Sequence, residues 1–221
     1  MEQVADALID AGAVQIRPER PFELASGRRS PVYVDVRRLI SFPGPRRAAI
    51  DGLVRVARDE IGLASFDVVA GGETAGIPFA SFLAVELERP LIYVRKRPKG
   101  HGRGRQIEGH LDEGARVLLV EDLVTDGGSK RAFRTGIVEA GARIDRCLCV
   151  FEYASERADL REARDNLRAL GLELFSLTHW DEILRALEAR GRITPEARDA
   201  VLAFLRNPDD YQPPDPTIAS S

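Results

Sequence analysis

Between Val117 and Ser129 the chain reads Val-Leu-Leu-Val-Glu-Asp-Leu-Val-Thr-Asp-Gly-Gly-Ser, the run whose residue types and order are best suited to chemistry. Four apolar residues, Val117 to Val120, predict a buried strand, and open α/β sheets gather ligands at the carboxyl ends of such strands. Glu121 and Asp122 follow at once. Leu123, Val124, Thr125, Asp126, Gly127, Gly128 and Ser129 then make a short loop that leads into a helix. Paired glycines let successive backbone N–H groups face one point, and the helix N-terminus adds unpaired donors and partial positive charge, so a phosphate fits there. Acids touching that phosphate would repel it, whereas acids one turn away suit ribose hydroxyls or a Mg²⁺ ion. Taken singly, the glycines read as a turn and the acids as solvated. Their order points to a bound ribose 5-phosphate. No Gly-x-x-x-x-Gly-Lys-Ser/Thr spacing surrounds Lys130, and no dinucleotide fingerprint occurs.

A second run, Arg95-Lys96-Arg97-Pro98-Lys99-Gly100-His101-Gly102-Arg103-Gly104-Arg105, packs six cations and a histidine into eleven residues without one acid. Its three glycines favour a flexible loop over a helix, and such a loop suits closure over a polyanion. The plainer alternative is a solvated basic loop that binds RNA or nothing. If extended, the segment spans ~30 Å. Only three of the thirty-two basic residues are lysines: Lys96, Lys99 and Lys130. In so arginine-rich a chain, a retained lysine reads either as a chance survivor or as marking a place where a compact ammonium works and a planar guanidinium does not.

Positioning these runs falls to an alternation of strands and helices. Strands are expected at Phe66–Ala70, Leu91–Val94, Val117–Val120, Ile144–Phe151 and Leu172–Leu177, with helices over 46–61, 75–87, 128–141 and 156–170. That pattern predicts an α/β fold with a central, mostly parallel sheet covered by helices on both faces. Upstream, Val4, Ala5, Leu8, Ile9 and Ala11 trace a helix that ends at Gly12, and Phe22–Leu24 and Val32–Asp35 read as short strands. Downstream come helices over 179–190 and 195–206, then a tail from Asn207, rich in proline and expected to be loose. Arg157, Arg161, Arg164 and Arg168, with Glu156 and Asp165, read as a charge ladder on one helical face. His110 reads as solvated, and His179-Trp180 as packing.

Composition narrows the class further. Hydrophobic residues at 44% with 30% charged exclude a wholly disordered chain, and a net charge of −3 gives no polycation for nucleic acid. No apolar run approaches the ~18 residues of a membrane span. Met1 to Gly12 lacks a basic start and carries Glu2, Asp6 and Asp10, so it does not read as a signal peptide. Cys147 and Cys149, two apart on a strand, are poorly placed to bridge and too few for a zinc site. A cytoplasmic location is the expectation.

Val120–Ser129 closely resembles the phosphoribosyl pyrophosphate (PRPP) motif of type I phosphoribosyltransferases. Tyr93–Lys96, Lys99–Gly102 and Gln106–Gly109 resemble the flexible catalytic loop of the orotate-specific members. Phe22–Gly27 and Ser30–Asp35 are similar to the N-terminal hood of those enzymes, and Gly71–Pro78 to their pyrophosphate-side loop. The resemblance runs from about residue 4 to about residue 211. It implies one domain over 1–206, with a hood at about 1–40, a core at about 46–178, C-terminal helices at about 179–206 and a tail over 207–221. It also implies transfer of the phosphoribosyl group of PRPP to orotate, giving orotidine 5′-monophosphate. Arg95, Lys96, Lys99 and His101 would meet PRPP or the departing pyrophosphate, and residues 121–129 its ribose and 5-phosphate. Lys99, His101 and Asp122 would be catalytic, His101 giving either a proton or a hydrogen bond; Thr125, Tyr33, Val34 and Tyr153 would face orotate. Mg²⁺ would ride mainly on PRPP, with Glu121 and Asp122 as its nearest acids, and the flexible loop would serve the partner's site in a homodimer. The chain departs from some members in having Ala25, Thr74, Ala75 and Tyr153 where they carry lysine, an aromatic–lysine pair and arginine. Arg28 or hood N–H groups are left for the orotate carboxylate. A purine phosphoribosyltransferase would share the PRPP motif without the hood, and a nucleotide-sensing regulator would share only the fold.

Overall fold

A computed structural model of the chain describes residues 2–24, 27, 29–98 and 106–212. The first apolar stripe folds as α1 (Glu2–Asp10). Two small antiparallel pairs follow, β1 (Val14–Ile16) with β4 (Val32–Val34) and β2 (Phe22–Glu23) with β3 (Arg29–Ser30). A 3₁₀ turn over Val36–Ser41 leads to α2 (Pro43–Val56), which runs on into a π turn over Ala57–Ile61. This helix starts earlier than the sequence pattern implies because Pro43 takes its first position, where a missing N–H does no harm.

The remaining elements alternate: β5 (Val68–Gly72), α3 (Gly76–Leu87), β6 (Leu91–Val94), β7 (Ile107–Glu108), β8 (Arg116–Val124), α4 (Gly128–Glu139), β9 (Arg143–Glu152), α5 (Glu162–Ala169), β10 (Glu173–His179), α6 (Trp180–Ala189) and α7 (Pro195–Arg206). The six-stranded sheet has the order β10-β9-β8-β5-β6-β7, parallel throughout except for β7 at one edge. Side chains of successive strand residues point to opposite faces. Leu118, Val120, Leu148 and Val150 therefore pack with residues of α1, α2, α3, α6 and α7, while Val117, Leu119, Cys147 and Cys149 pack with α4 and α5. Trp180, fully buried, meets the rings of Phe151 and Tyr153 edge-on, the packing role expected of it. Both cysteines are free and buried, and burial pushes the Cys147 thiol up to about 12.

Several expectations need correcting. β8 does not stop at Val120: its parallel pairing with β9 continues through Leu123–Phe151 and Val124–Glu152, so both acids lie within the strand. β7 (Ile107–Glu108), where no strand was expected, adds an antiparallel edge to the sheet. The helix expected over 156–170, α5, begins only at Glu162, because the chain first makes a turn closed by a bridge between Ser155 and Leu160. Arg157 and Arg161 thus lie outside it, and no single ladder forms. Arg164 reaches Glu152 and Ser176, Arg157 pairs with Glu188, Arg161 with Asp159, and Arg168 with Asp165. The start of the tail is not loose, since the Tyr211 hydroxyl donates to the Pro18 carbonyl at 3.2 Å and its ring meets Phe204 edge-on. His110 is exposed as expected, beside Asp112.

Candidate active site

Because β8 runs through to Val124, Glu121 and Asp122 fall on opposite faces of the sheet. Glu121 turns toward α4, where the Lys130 ammonium donates to its Oε2 at 3.1 Å. The same ammonium donates to the Leu123 carbonyl at 3.3 Å and the Ser129 hydroxyl at 3.1 Å, so all three of its protons are used. Glu121 and Lys130 are only 6% and 5% exposed, which places this ion pair inside the protein rather than at a ligand-facing surface. Burial, with the Asp122 charge adding to it, pushes the Glu121 carboxyl up to about 7 against the pull of Lys130. Glu121 Oε1 has no hydrogen-bond partner among the described residues and lies against Gly72, at the end of β5. A Cβ on residue 72 would overlap that oxygen, so the close approach of β5 to Glu121 requires glycine.

Asp122 is half-buried on the other face. Burial raises its pKa, while the backbone N–H groups of Leu123 and Asp122 and the charges of Lys130 and Arg37 work the other way. Arg37 belongs to the 3₁₀ turn behind the hood and is bonded to Asp35 at 2.6 Å. The two acids read as equivalent in sequence are therefore different: one is paired with Lys130 inside the protein, and the other is half-buried on the opposite face of the sheet.

The loop after β8 is shaped by its own side chains. Asp126 Oδ1 accepts the Gly128 N–H at 2.9 Å and the Thr125 hydroxyl at 3.4 Å, and Asn166 Nδ2 donates to the Asp126 carbonyl at 2.9 Å. Gly127 sits at φ +80°, and a Cβ there would run into Leu167. α4 then begins at Gly128, presenting a helix N-terminus with no side-chain cap from its N-cap residue. Thr125 and Asp126 are exposed, Val124 is buried, and Ser129 is tied to Lys130.

On the other side of β5, Glu73 accepts the backbone N–H of Lys96 at 2.9 Å. Arg95 N–H donates to the Gln106 carbonyl at 2.8 Å, Gln106 Nε2 donates back to the Arg95 carbonyl, and Arg95 pairs with Glu108 at 3.6 Å. The roots of the cationic loop are thus tied together. Lys99 and His101 lie outside the described residues. Tyr153 N–H donates to the Val124 carbonyl at 2.8 Å, which seats Tyr153 next to Thr125. Tyr33, exposed, and Val34, half-buried, lie on β4 of the hood, the Tyr33 ring against Phe22. Arg95, Lys96, Glu73, Asp122, Thr125 and Tyr153 accordingly share the carboxyl end of the sheet. The role of Lys130 was signalled only by the scarcity of lysine, and that of Arg37 by nothing in the sequence pattern.

Magnesium can be tested against this donor set. Among the described residues no group of three or more His, Cys, Asp or Glu could hold a metal ion, and the Glu121 charge is already answered by Lys130. Asp122 is the acid left. Such a site fits a Mg²⁺ that keeps its waters and is carried on phosphate oxygens, not one caged by protein.

Comparison with known proteins agrees with this geometry. The phosphoribosyl transferase domain family matches residues 46–183. The chain is 47% identical over 208 residues to the orotate phosphoribosyltransferase of Agrobacterium fabrum, covering 94% of this chain and 88% of that one. It is 45% identical over 208 residues to that of Dinoroseobacter shibae, covering 94% and 90%. The crystal structure of orotate phosphoribosyltransferase from Aeropyrum pernix matches with a TM-score of 0.68 at 31% identity, over 85% of this chain and 99% of that one.

The loop geometry makes a prediction about stability. Gly127→Ala adds a Cβ at a left-handed φ and against Leu167, so it should destabilise the fold by roughly 1–3 kcal/mol. Urea unfolding followed by circular dichroism reads this directly; an unchanged midpoint would mean that the loop is not held against α5.

Proposed function

The chain belongs to the orotate phosphoribosyltransferase family, and from that membership we propose how its own residues carry the transfer. The enzyme transfers the phosphoribosyl group of PRPP to orotate, giving orotidine 5′-monophosphate and pyrophosphate, a step of pyrimidine biosynthesis. The observation that carries the reading is the end of β8, where the half-buried Asp122 is followed within a few residues by a glycine turn and a helix N-terminus. The turn over 125–129 takes the 5-phosphate, and Asp122 accepts from the ribose hydroxyls. Arg95 and Lys96, at the root of the cationic loop, stand by the pyrophosphate, with Lys99 and His101 joining them from the loop itself. Thr125, Tyr153, Tyr33 and Val34 line the orotate end.

The bond from C1′ to the pyrophosphate oxygen breaks with its electrons leaving on pyrophosphate, and orotate N1 forms the new bond to C1′. Positive character grows on the ribose and negative charge on the leaving group. Cations fixed in advance at the loop root stabilise that negative charge with little reorganisation. Mg²⁺ carried on PRPP would screen the same charge. His101 serves pyrophosphate as a proton or hydrogen-bond donor. No covalent enzyme intermediate is needed.

We place the enzyme in the cytoplasm, a reading supported by two free, buried cysteines, and no helix among the described residues is long and apolar enough to cross a membrane. We also place it as a homodimer, in which the loop over 95–105 serves the partner's site.

The substrate is tested by incubating the enzyme with PRPP, Mg²⁺ and one base at a time. Orotate absorbance should fall with equimolar release of pyrophosphate, while adenine and hypoxanthine should stay unchanged. Asp122→Asn should lower kcat/KM for PRPP by about a hundredfold to a thousandfold, the range for losing one preorganised electrostatic contact. Turnover of a purine base would move the chain to another branch, and no turnover of any base would favour a nucleotide sensor.

Sharing of sites is tested by mixing variants. Lys99→Ala and Asp122→Ala dimers should each be nearly inactive. Unfolded together in equal amounts and refolded, they should regain roughly a quarter of wild-type activity, because about half the dimers are mixed and one site of each is intact. No recovery, with dimers confirmed by light scattering, would show that each loop serves its own chain.

A further inference from the structure

Lys130 is a buried ionisable group that the reaction does not use. Its ammonium meets three acceptors from three parts of the site: the Glu121 carboxylate, the Leu123 carbonyl where β8 runs into its loop, and the Ser129 hydroxyl in the first turn of α4. Glu121 passes the contact on. Its second oxygen lies against Gly72, where β5 turns into the loop on the pyrophosphate side, and Glu73 of that loop holds the Lys96 N–H. One buried ion pair therefore packs between the turn that meets one end of PRPP and the loop that meets the other.

A guanidinium could not replace the ammonium there. Its donors lie in a plane, whereas Lys130 places three donors around one buried nitrogen, each on a different acceptor. This accounts for a lysine at position 130 of a chain that elsewhere uses arginine almost throughout.

We propose that Lys130 is a positioning residue for PRPP: acting through Glu121, Leu123 and Ser129, it sets the separation between the phosphate turn over 125–129 and the pyrophosphate-side loop over 72–75, and touches no substrate itself. The proposal rests on the reading of this site as a PRPP site. A ligand held at both ends gains affinity from having both binding loops at the correct separation, beyond what each end contributes alone. Loss of the strut leaves each loop its own contacts and removes that gain.

The test compares a two-ended ligand with its halves. PRPP, ribose 5-phosphate and magnesium pyrophosphate are each titrated by calorimetry into wild type, Lys130→Met, Lys130→Arg and the double variant Glu121→Gln/Lys130→Met. Lys130→Met strands a buried carboxylate and can fail to fold, but the double variant removes both charges and avoids that penalty. In the double variant PRPP should bind roughly tenfold more weakly or worse, the equivalent of one charge-assisted hydrogen bond, while ribose 5-phosphate and pyrophosphate bind as to wild type. KM for PRPP should rise and KM for orotate should stay unchanged. Lys130→Arg should not restore PRPP affinity.

Full PRPP affinity in the double variant would overturn the proposal, showing that Lys130 only neutralises Glu121. Parallel weakening of all three ligands would overturn it too, since that is the mark of general structural damage. Wild-type enzyme that binds no PRPP would instead refute the site reading, and the proposal with it.

Discussion

The ladder of backbone hydrogen bonds between β8 and β9 continues past Val120 to Val124 and Glu152, and every later feature of the site depends on that extension. Had the strand ended at Val120, Glu121 and Asp122 would stand on a loop, free to point the same way. Held in the ladder, they alternate. One carboxylate enters the packed face beneath α4 and the other lies half-buried on the opposite face. The glycine turn then begins from a fixed point, with Thr125 one residue beyond the last rung.

Placing Glu121 inside has an electrostatic consequence. A buried carboxylate is several kcal/mol less favourable than a hydrated one unless its charge is answered nearby. Lys130 answers it, and the ammonium's other two protons tie the strand end to the first turn of α4. Breaking such a pair is more damaging than never having had it, which is why the two residues behave as one unit. The pair also leaves Asp122 as the acid without a lysine partner, so two adjacent carboxylates differ by which face of the sheet they occupy. Behind the turn, Asn166 and Leu167 of α5 press on Asp126 and Gly127, so the glycine turn is backed by a helix.

Much of this was legible from residue patterns. Apolar runs such as Leu91–Val94 and Ile144–Phe151 sit inside observed strands because a parallel sheet buried on both faces leaves few polar positions. α7 begins at Pro195 behind the Thr194 cap, as the Thr-Pro signal implies. The resemblance to orotate phosphoribosyltransferases is matched by the family comparison. The extent of β8 was not legible, since two adjacent acids mimic a strand end and only tertiary pairing with β9 overrides that signal. The arginine ladder failed for a similar reason, as the Ser155–Leu160 turn replaces the first turns of the expected helix. Arg37 was invisible because its meaning comes from the hood folding back toward Asp122.

The scarcity of lysine makes the central claim directly measurable. With three lysines in the chain, protein labelled with ¹⁵N-lysine has only three side-chain Nζ signals to follow by nuclear magnetic resonance. A buried ammonium with all three protons in hydrogen bonds should exchange slowly with water, so Lys130 should give a protected Nζ signal at neutral pH, assigned by its loss in Lys130→Met. That protection should persist when PRPP is added, because the Glu121 partnership is internal and no ligand replaces it. A Lys130 signal that exchanges as fast as an exposed lysine, or one that loses its protection when PRPP binds, would contradict the account.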